Sequence, residues 1–256
     1  MNDYQLVLDT WEGQGEINEA ELLAGGVAGL VIRLNDINGG HHMDKAFQAQ
    51  WAQAEKFVRW PYFVYNPWVS GIKNYQWLAG NMPAEATAVA ADVEVRYAAI
   101  SSAQYGVELG AFMQLAQSRW KVHIYTGEWF LPLLTPWPRV DYWWAQYPYG
   151  GLYPSQRTRL SWESLKTLLD ALRWPPLNAA KCPGSVRMWQ CSGDHLILPG
   201  NSTAMDVSVF PGTLDELRAW VGDKNSSQPP VVNVLSSIEE RVAALEAAVR
   251  EHGWNI

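Results

Sequence analysis

The segment AVAADVEV, residues 88–95, sets Asp92 and Glu94 two positions apart inside an otherwise apolar run. In extended chain, residues i and i+2 share a face, with Cα atoms roughly 6.6 Å apart at about 3.3 Å per residue. Two carboxylates so placed repel each other and lose hydration together. Either something compensates them or they are there for chemistry. Three further acids stand near the ends of apolar runs: Asp9 closes YQLVLD, Asp36 follows AGLVIR, and Asp206 lies in AMDVSVF. Grouped carboxyls split their ionisation, one staying charged while another's pKa climbs towards neutrality. That is the equipment of glycoside hydrolysis, in which one acid protonates the leaving oxygen and another stabilises positive charge at the sugar. Each acid also has a plainer reading: Asp9 as a turn cap, Asp206 as a backbone acceptor, the Asp-x-Glu pair as a solvated face. No Ser/His/Asp set, strand-end histidine pair, Cys-x-x-Cys or Cys/His ligand spacing competes with them. The expected cofactor and metal content is therefore none.

Composition points the same way. The 256 residues include 15 tryptophans, and rigid aromatic faces stack on the apolar C–H faces of sugar rings as well as filling cores. The formal charge of −7, without a basic stripe, argues against nucleic acid. The two cysteines, Cys182 and Cys191, are read as free thiols, with a disulfide as the alternative. No run of about 18 apolar residues is present, so no membrane span is expected. MNDYQLVLDTW lacks the basic-then-apolar pattern of a secretory signal. The expectation is synthesis in the cytoplasm with release to the cell wall by another route, or attachment to a virion.

The elements that must position the acids follow from periodicity. Strands are expected at 4–9, 28–33, 61–66, 88–95, 121–126, 142–147, 185–190 and 204–210, several apolar on both faces as in a helix-covered parallel sheet. Helical patterns occupy 43–58, from Ser101 or Ser102 to about Arg119, from Ser161 to before Pro175, and from Thr213 to about Val221. The last opens with the capping box Thr213/Glu216. Eight strands mostly alternating with helices predict an α/β fold, a TIM-like β/α barrel over 1–221 with its site at strand C-terminal ends. A doubly wound sheet is the alternative, and DTWEGQG after the first strand lacks its G-x-G-x-x-G turn. Residues 222–233 read as a linker, beginning GDKNSSQPP. In 234–256, Leu235, Ile238, Val242, Leu245, Val249 and His252 keep a 3-4 spacing. That predicts a short coiled coil joining a homo-oligomer, dimer or trimer, through 234–252. An amphipathic helix folded back on the barrel is the alternative.

Four segments in order, DVE after an apolar run, IYTGEWF (124–130), YWWAQYP (142–148) and MWQCSG…LPG…MDVSVFPG (188–212), resemble the strand signatures of family-25 glycoside hydrolases. The match in order and spacing covers residues 4–221. The resemblance implies N-acetylmuramidase activity on peptidoglycan glycan strands, at the β-1,4 bond from N-acetylmuramic acid to N-acetylglucosamine. It implies Glu94 as general acid and Asp92 as the group that orients the 2-acetamido group or stabilises the developing cation. Asp9 and Asp206 would tune that pair and bind sugar. Asp36, Tyr65, Tyr125, Trp143, Gln146 and Trp189 are the candidate substrate contacts. The chain departs from the family at DTWEG, two residues shorter than the usual first-strand segment, at RLNDI, where Asp36 stands as a shorter acid, and at YNPW, with Asn66 for histidine.

Two other readings use the same residues. One is a glycan-binding or structural barrel multimerised by its tail. The other is a chitinase-like glycosidase, against which Ala88, Val89, Ala90 and Ala91 count, because acids would be expected at alternate positions there.

Overall fold

The computed structural model describes residues 3–148 and 150–223. Eight strands form a barrel: β1 (Tyr4–Thr10), β2 (Val27–Arg33), β3 (Val58–Val64), β4 (Ala88–Asp92), β5 (Lys121–Gly127), β6 (Asp141–Ala145), β7 (Ser185–Ile197) and β8 (Met205–Pro211). They pair in chain order, and β8 pairs with both β7 and β1. This closure removes the open-sheet alternative, and the eight strands coincide with the eight runs expected from sequence.

Two details differ from a regular β/α alternation. β1 to β7 run parallel, but β8 runs antiparallel to both neighbours. Only residues 198–204 join β7 to β8, too short for the helical crossover that a parallel pair needs. The mouth formed by the C-terminal ends of β1–β7 therefore meets the N-terminal end of β8. β3 also begins at Val58, ahead of Pro61, where the run expected from sequence started. The β3–β4 ladder begins only at Tyr62↔Ala90, so Pro61 breaks nothing on that side.

Helices α1 (Glu19–Ala24), α2 (Phe47–Gln53), α3 (Gly71–Asn81), α4 (Ser102–Gln117), α5 (Trp162–Asp170) and α6 (Leu214–Val221) surround the strands. Ser101, Ser161 and Thr213 accept the N–H groups of Gln104, Ser164 and Glu216, as their sequence positions implied. α1 and α3 were not expected. The helix expected over 43–58 shrinks to α2. Asp44 accepts from Ala46 N at 2.8 Å and Glu12 N at 3.1 Å, and such local acceptors compete with helix formation.

Strand alternation divides the core into two layers. Leu8, Ile32, Phe63 and Trp144 face the helices, while Val7, Val31, Trp60, Trp143, Met188 and Phe210 fill the barrel. The inward residues of β4 below Asp92 are Ala88 and Ala90, both buried. Their small size leaves room for the contacts Tyr62–Trp143 (6.4 Å) and Tyr125–Trp143 (4.6 Å) between ring centroids. α6 closes the N-terminal end of the barrel, with Trp220 against His123 at 4.2 Å and Phe210 at 5.5 Å.

Cys182 and Cys191 are free thiols. Among the described residues no helix is long and apolar enough to cross a membrane. The coiled coil expected over 234–256, and the linker from residue 224, lie outside the described residues.

Candidate active site

Asp9, next to last in β1, and Asp206, second in β8, are register partners across the antiparallel pair. The two carboxyls face each other, which favours the proton on Asp9 and the negative charge on Asp206. Burial raises Asp9 well above the usual carboxylate range, and the charge of Asp206 adds to the effect, while a hydrogen bond from Gln190 opposes it. That bond runs from Gln190 Nε2 to Asp9 Oδ2 at 3.0 Å. Burial also lifts Asp206 to about 6, against the stabilising donation of the Asp194 N–H. Asp194 supplies this N–H from a left-handed backbone, φ +48°.

Asp92 is the last residue of β4, so the strand stops three residues earlier than the run 88–95 suggested. Asp92 is buried, and its Oδ1 has no hydrogen-bond partner. Burial pushes its pKa well up, Glu94 adds to that, and Arg33 opposes it. Beyond the strand, Val93 donates its N–H to Tyr125 O at 2.9 Å and buries its side chain in the helix-facing layer. Glu94 is thereby returned to the side of Asp92. It is open to water on its outer face, yet the barrel wall behind it removes enough solvent to raise its pKa to about 7, helped by the charge of Asp206.

A polar network braces these acids. Gln190 Oε1 accepts from Tyr125 Oη and Tyr147 Oη, each at 2.7 Å, while Gln190 Nε2 holds Asp9. Gln190 and Tyr147 were not among the expected contacts, whereas their neighbours Trp189 and Gln146 were. Strand parity carries the missed signal: Met188 points into the barrel, so Gln190 does too and Trp189 does not. Trp189 lies in the helix-facing layer and donates Nε1 to the backbone oxygen of Gln146 at 2.6 Å.

The other expected contacts are scattered. Tyr125 belongs to the network above. Trp143 lies beneath it in the barrel core, donating Nε1 to Ser208 Oγ at 2.9 Å. Tyr65 faces outward, stacked on Tyr105 at 5.8 Å. Asp36 sits in a small hairpin (Asn35–Asp36 with His42–Met43). There it accepts from Ile37 N at 2.6 Å and from Asn38 N and Nδ2. Desolvation is the largest single influence and raises the pKa, but those donors, with the charge of Arg33, together outweigh it and hold the carboxyl below its usual range.

The aromatics that reach solvent at this end come from loops, not strands. Trp11, Trp68 and Trp129 are 37%, 49% and 44% exposed and follow β1, β3 and β5 by one to four residues. Trp129 leans on Tyr147 at 6.1 Å, and Tyr147 stacks on Tyr153 at 4.8 Å. Their signal in the sequence is position just past a strand end, which tryptophan abundance alone does not carry. Among the described residues no cluster of His, Cys, Asp and Glu is arranged to hold a metal ion.

Four carboxyls thus converge on the mouth of the closed β/α barrel. Solved structures place the barrel more narrowly. The bacterial lysozyme of Streptomyces coelicolor is similar, with a TM-score of 0.65 and 18% identity over 87% of this chain and 99% of that one. A family-25 glycosyl hydrolase from Bacillus anthracis gives 0.62 and 18%, over 86% and 95%. The catalytic domain of an endolysin from bacteriophage P40 of Listeria monocytogenes gives 0.52 and 17%, over 87% and 100%. No protein-family model matches the chain, and no curated protein matches it in sequence. The chain has the fold of family-25 glycoside hydrolases.

Proposed function

We propose that the chain is a peptidoglycan hydrolase of the lysozyme type, cleaving the β-1,4 bond from N-acetylmuramic acid to N-acetylglucosamine. The observation that carries this reading is the arrangement at the mouth: Glu94, reached by water, stands beside the buried acids Asp92, Asp9 and Asp206, and burial and the charge of Asp206 push its pKa up to about 7. Glu94 is still substantially protonated near neutral pH and can hand its proton to the glycosidic oxygen as the bond breaks. Asp92 lies on the same side of the chain as Glu94, which suits substrate assistance better than direct attack from the opposite face. Its buried, unpartnered Oδ1 is an acceptor for the N–H of a 2-acetamido group. That bond would orient the carbonyl oxygen towards the anomeric carbon and offset positive charge as it develops. Asp9 and Asp206, sharing one proton, hold a single negative charge under the sugar, in a position fixed by Gln190 and the Asp194 N–H. The naming of the similar structures as lysozyme, glycosyl hydrolase and endolysin agrees with this assignment.

The test is digestion of purified peptidoglycan by wild type and Glu94→Gln, with products identified by mass. New reducing ends at muramic acid are expected from wild type, falling roughly 10²- to 10⁴-fold in the variant, as for loss of the proton donor. Wild type that pellets with several wall types and releases nothing would replace hydrolysis by glycan binding on the same barrel.

A further inference from the structure

Trp11 is the first residue beyond β1, and its backbone remains extended at φ −151°, ψ 177°. The alternation of β1 therefore continues through it. Trp11 points to the same side as Asp9, one pleat nearer solvent, roughly 6–7 Å farther along the chain.

The indole is exposed but clamped. The Arg33 guanidinium lies over it, 4.7 Å from the ring centroid. Arg33 is anchored in turn by Nε to Asp44 Oδ2 at 2.5 Å, Asp44 having no exposed side-chain surface, and by a longer contact to Glu12 at 3.7 Å. On another side the ring presses against Gly13, where an added Cβ would stand 2.4 Å from Cζ2 of Trp11. Any side chain at position 13 would displace the ring. Holding Arg33 and an indole in one geometry costs side-chain entropy and desolvation, and the part of the ring left in water returns little to the fold. Trp68 and Trp129, the other exposed indoles, have no cation over them among the described residues.

We propose that Trp11 is a sugar platform: its open surface takes the apolar face of an N-acetylhexosamine ring in the subsite beside Asp9, at a tilt set by Arg33 and Gly13. The proposal rests on the reading of the mouth as a glycan-cleaving site and adds a determinant of binding to it. A stacked pyranose gains contact only if the indole is already in place, so the clamp spares the ordering cost at the moment of binding.

The experiment uses the full chain and a tetrasaccharide of alternating N-acetylglucosamine and N-acetylmuramic acid. In the Glu94→Gln background, where binding is read without turnover, Trp11→Ala should weaken tetrasaccharide affinity about tenfold and Trp11→Phe should recover most of it. With Glu94 restored, KM should rise by a similar factor and kcat should stay within about twofold. As a measurement on the intact indole, 5-fluorotryptophan labelling should show one fluorine signal, absent in Trp11→Phe, that shifts on adding tetrasaccharide. Unchanged affinity and KM in Trp11→Ala, or an unmoved Trp11 signal, overturns the proposal. If wild type binds the tetrasaccharide through Trp11 without cleaving it, the hydrolase reading falls and the platform stands. If the tetrasaccharide is not bound at all, both fall.

Discussion

The two ends of the barrel bury ionisable groups in opposite ways. At the N-terminal end a single histidine, His123, accepts a hydrogen bond from Trp60 Nε1 at 3.1 Å and packs on Trp220. Burial drives its pKa down to about 3, so it stays neutral. The groups around it are satisfied: Trp220 Nε1 reaches Asp141 at 3.0 Å, and Thr87 Oγ1 reaches Val221 O at 2.9 Å. At the other end four carboxyls of one sign face each other, and an acceptor on Asp92 is buried without a partner. The first arrangement lowers the free energy of the fold. The second raises it, and a chain keeps such an arrangement where the charges serve a reaction. What separates the ends is whether the buried polar groups have been neutralised and paired.

That contrast can be broken most directly at the closed end. Trp220→Ala removes the plug between His123, Phe210 and Trp60. It should cost about 3–5 kcal/mol of stability, seen as a lower urea midpoint, while kcat of the folded fraction stays unchanged. A loss below about 1 kcal/mol would mean that α6 merely covers the barrel and does not seal it. At the mouth, Gln190→Leu takes the donor from Asp9 and the acceptor from two tyrosines. Activity should drop roughly 10- to 100-fold, about 1.4–2.7 kcal/mol. Because the Gln190 bond lowers the Asp9 pKa, the acidic limb of the pH–rate profile should move to higher pH. An unshifted limb would separate the Asp9–Asp206 pair from the ionisation that controls rate.

How legible each end was in the sequence follows from the same contrast. Strand number and order could be read because both-face apolar runs are long and repeated, and the caps at Ser101, Ser161 and Thr213 carry their own side-chain chemistry. The acids could be located because a charge in an apolar run is conspicuous. Which neighbours join them could not be read so easily. Tyr65, Gln146 and Trp189 are chemically suited to a sugar, but parity turns them away, and parity is fixed only once one inward residue of a strand is known. The antiparallel β8, which brings Asp206 opposite Asp9, depends on a connection over 198–204 whose Pro199-Gly200-Asn201 marks a turn but not the direction of the strand that follows. Trp11 was visible only as part of a shortened segment. Its use depends on Arg33 and Gly13 standing on either side of it, a relation in space that no spacing expresses.

The smallest expected effect sharpens the comparison thermodynamically. Glu94 has a folded pKa of about 7 against an ordinary value of 4.5, so between those values the folded state binds more protons than the unfolded one. Stability then falls as pH rises through that window. His123 works in the other direction. Its folded pKa, about 3, lies below its unfolded value of 6.5, so its contribution is lost as pH falls below that value. Glu94→Gln deletes the first window and leaves the second intact. Thermal melts should therefore coincide for wild type and variant near pH 4.5 and diverge by pH 8, with the variant higher by roughly 2–4 °C. That gap corresponds to about 1 kcal/mol once the water reaching Glu94 is allowed for. Curves that stay superimposed at pH 8 would show that Glu94 ionises without strain, and the mouth would then lose its distinction from a solvated acidic rim.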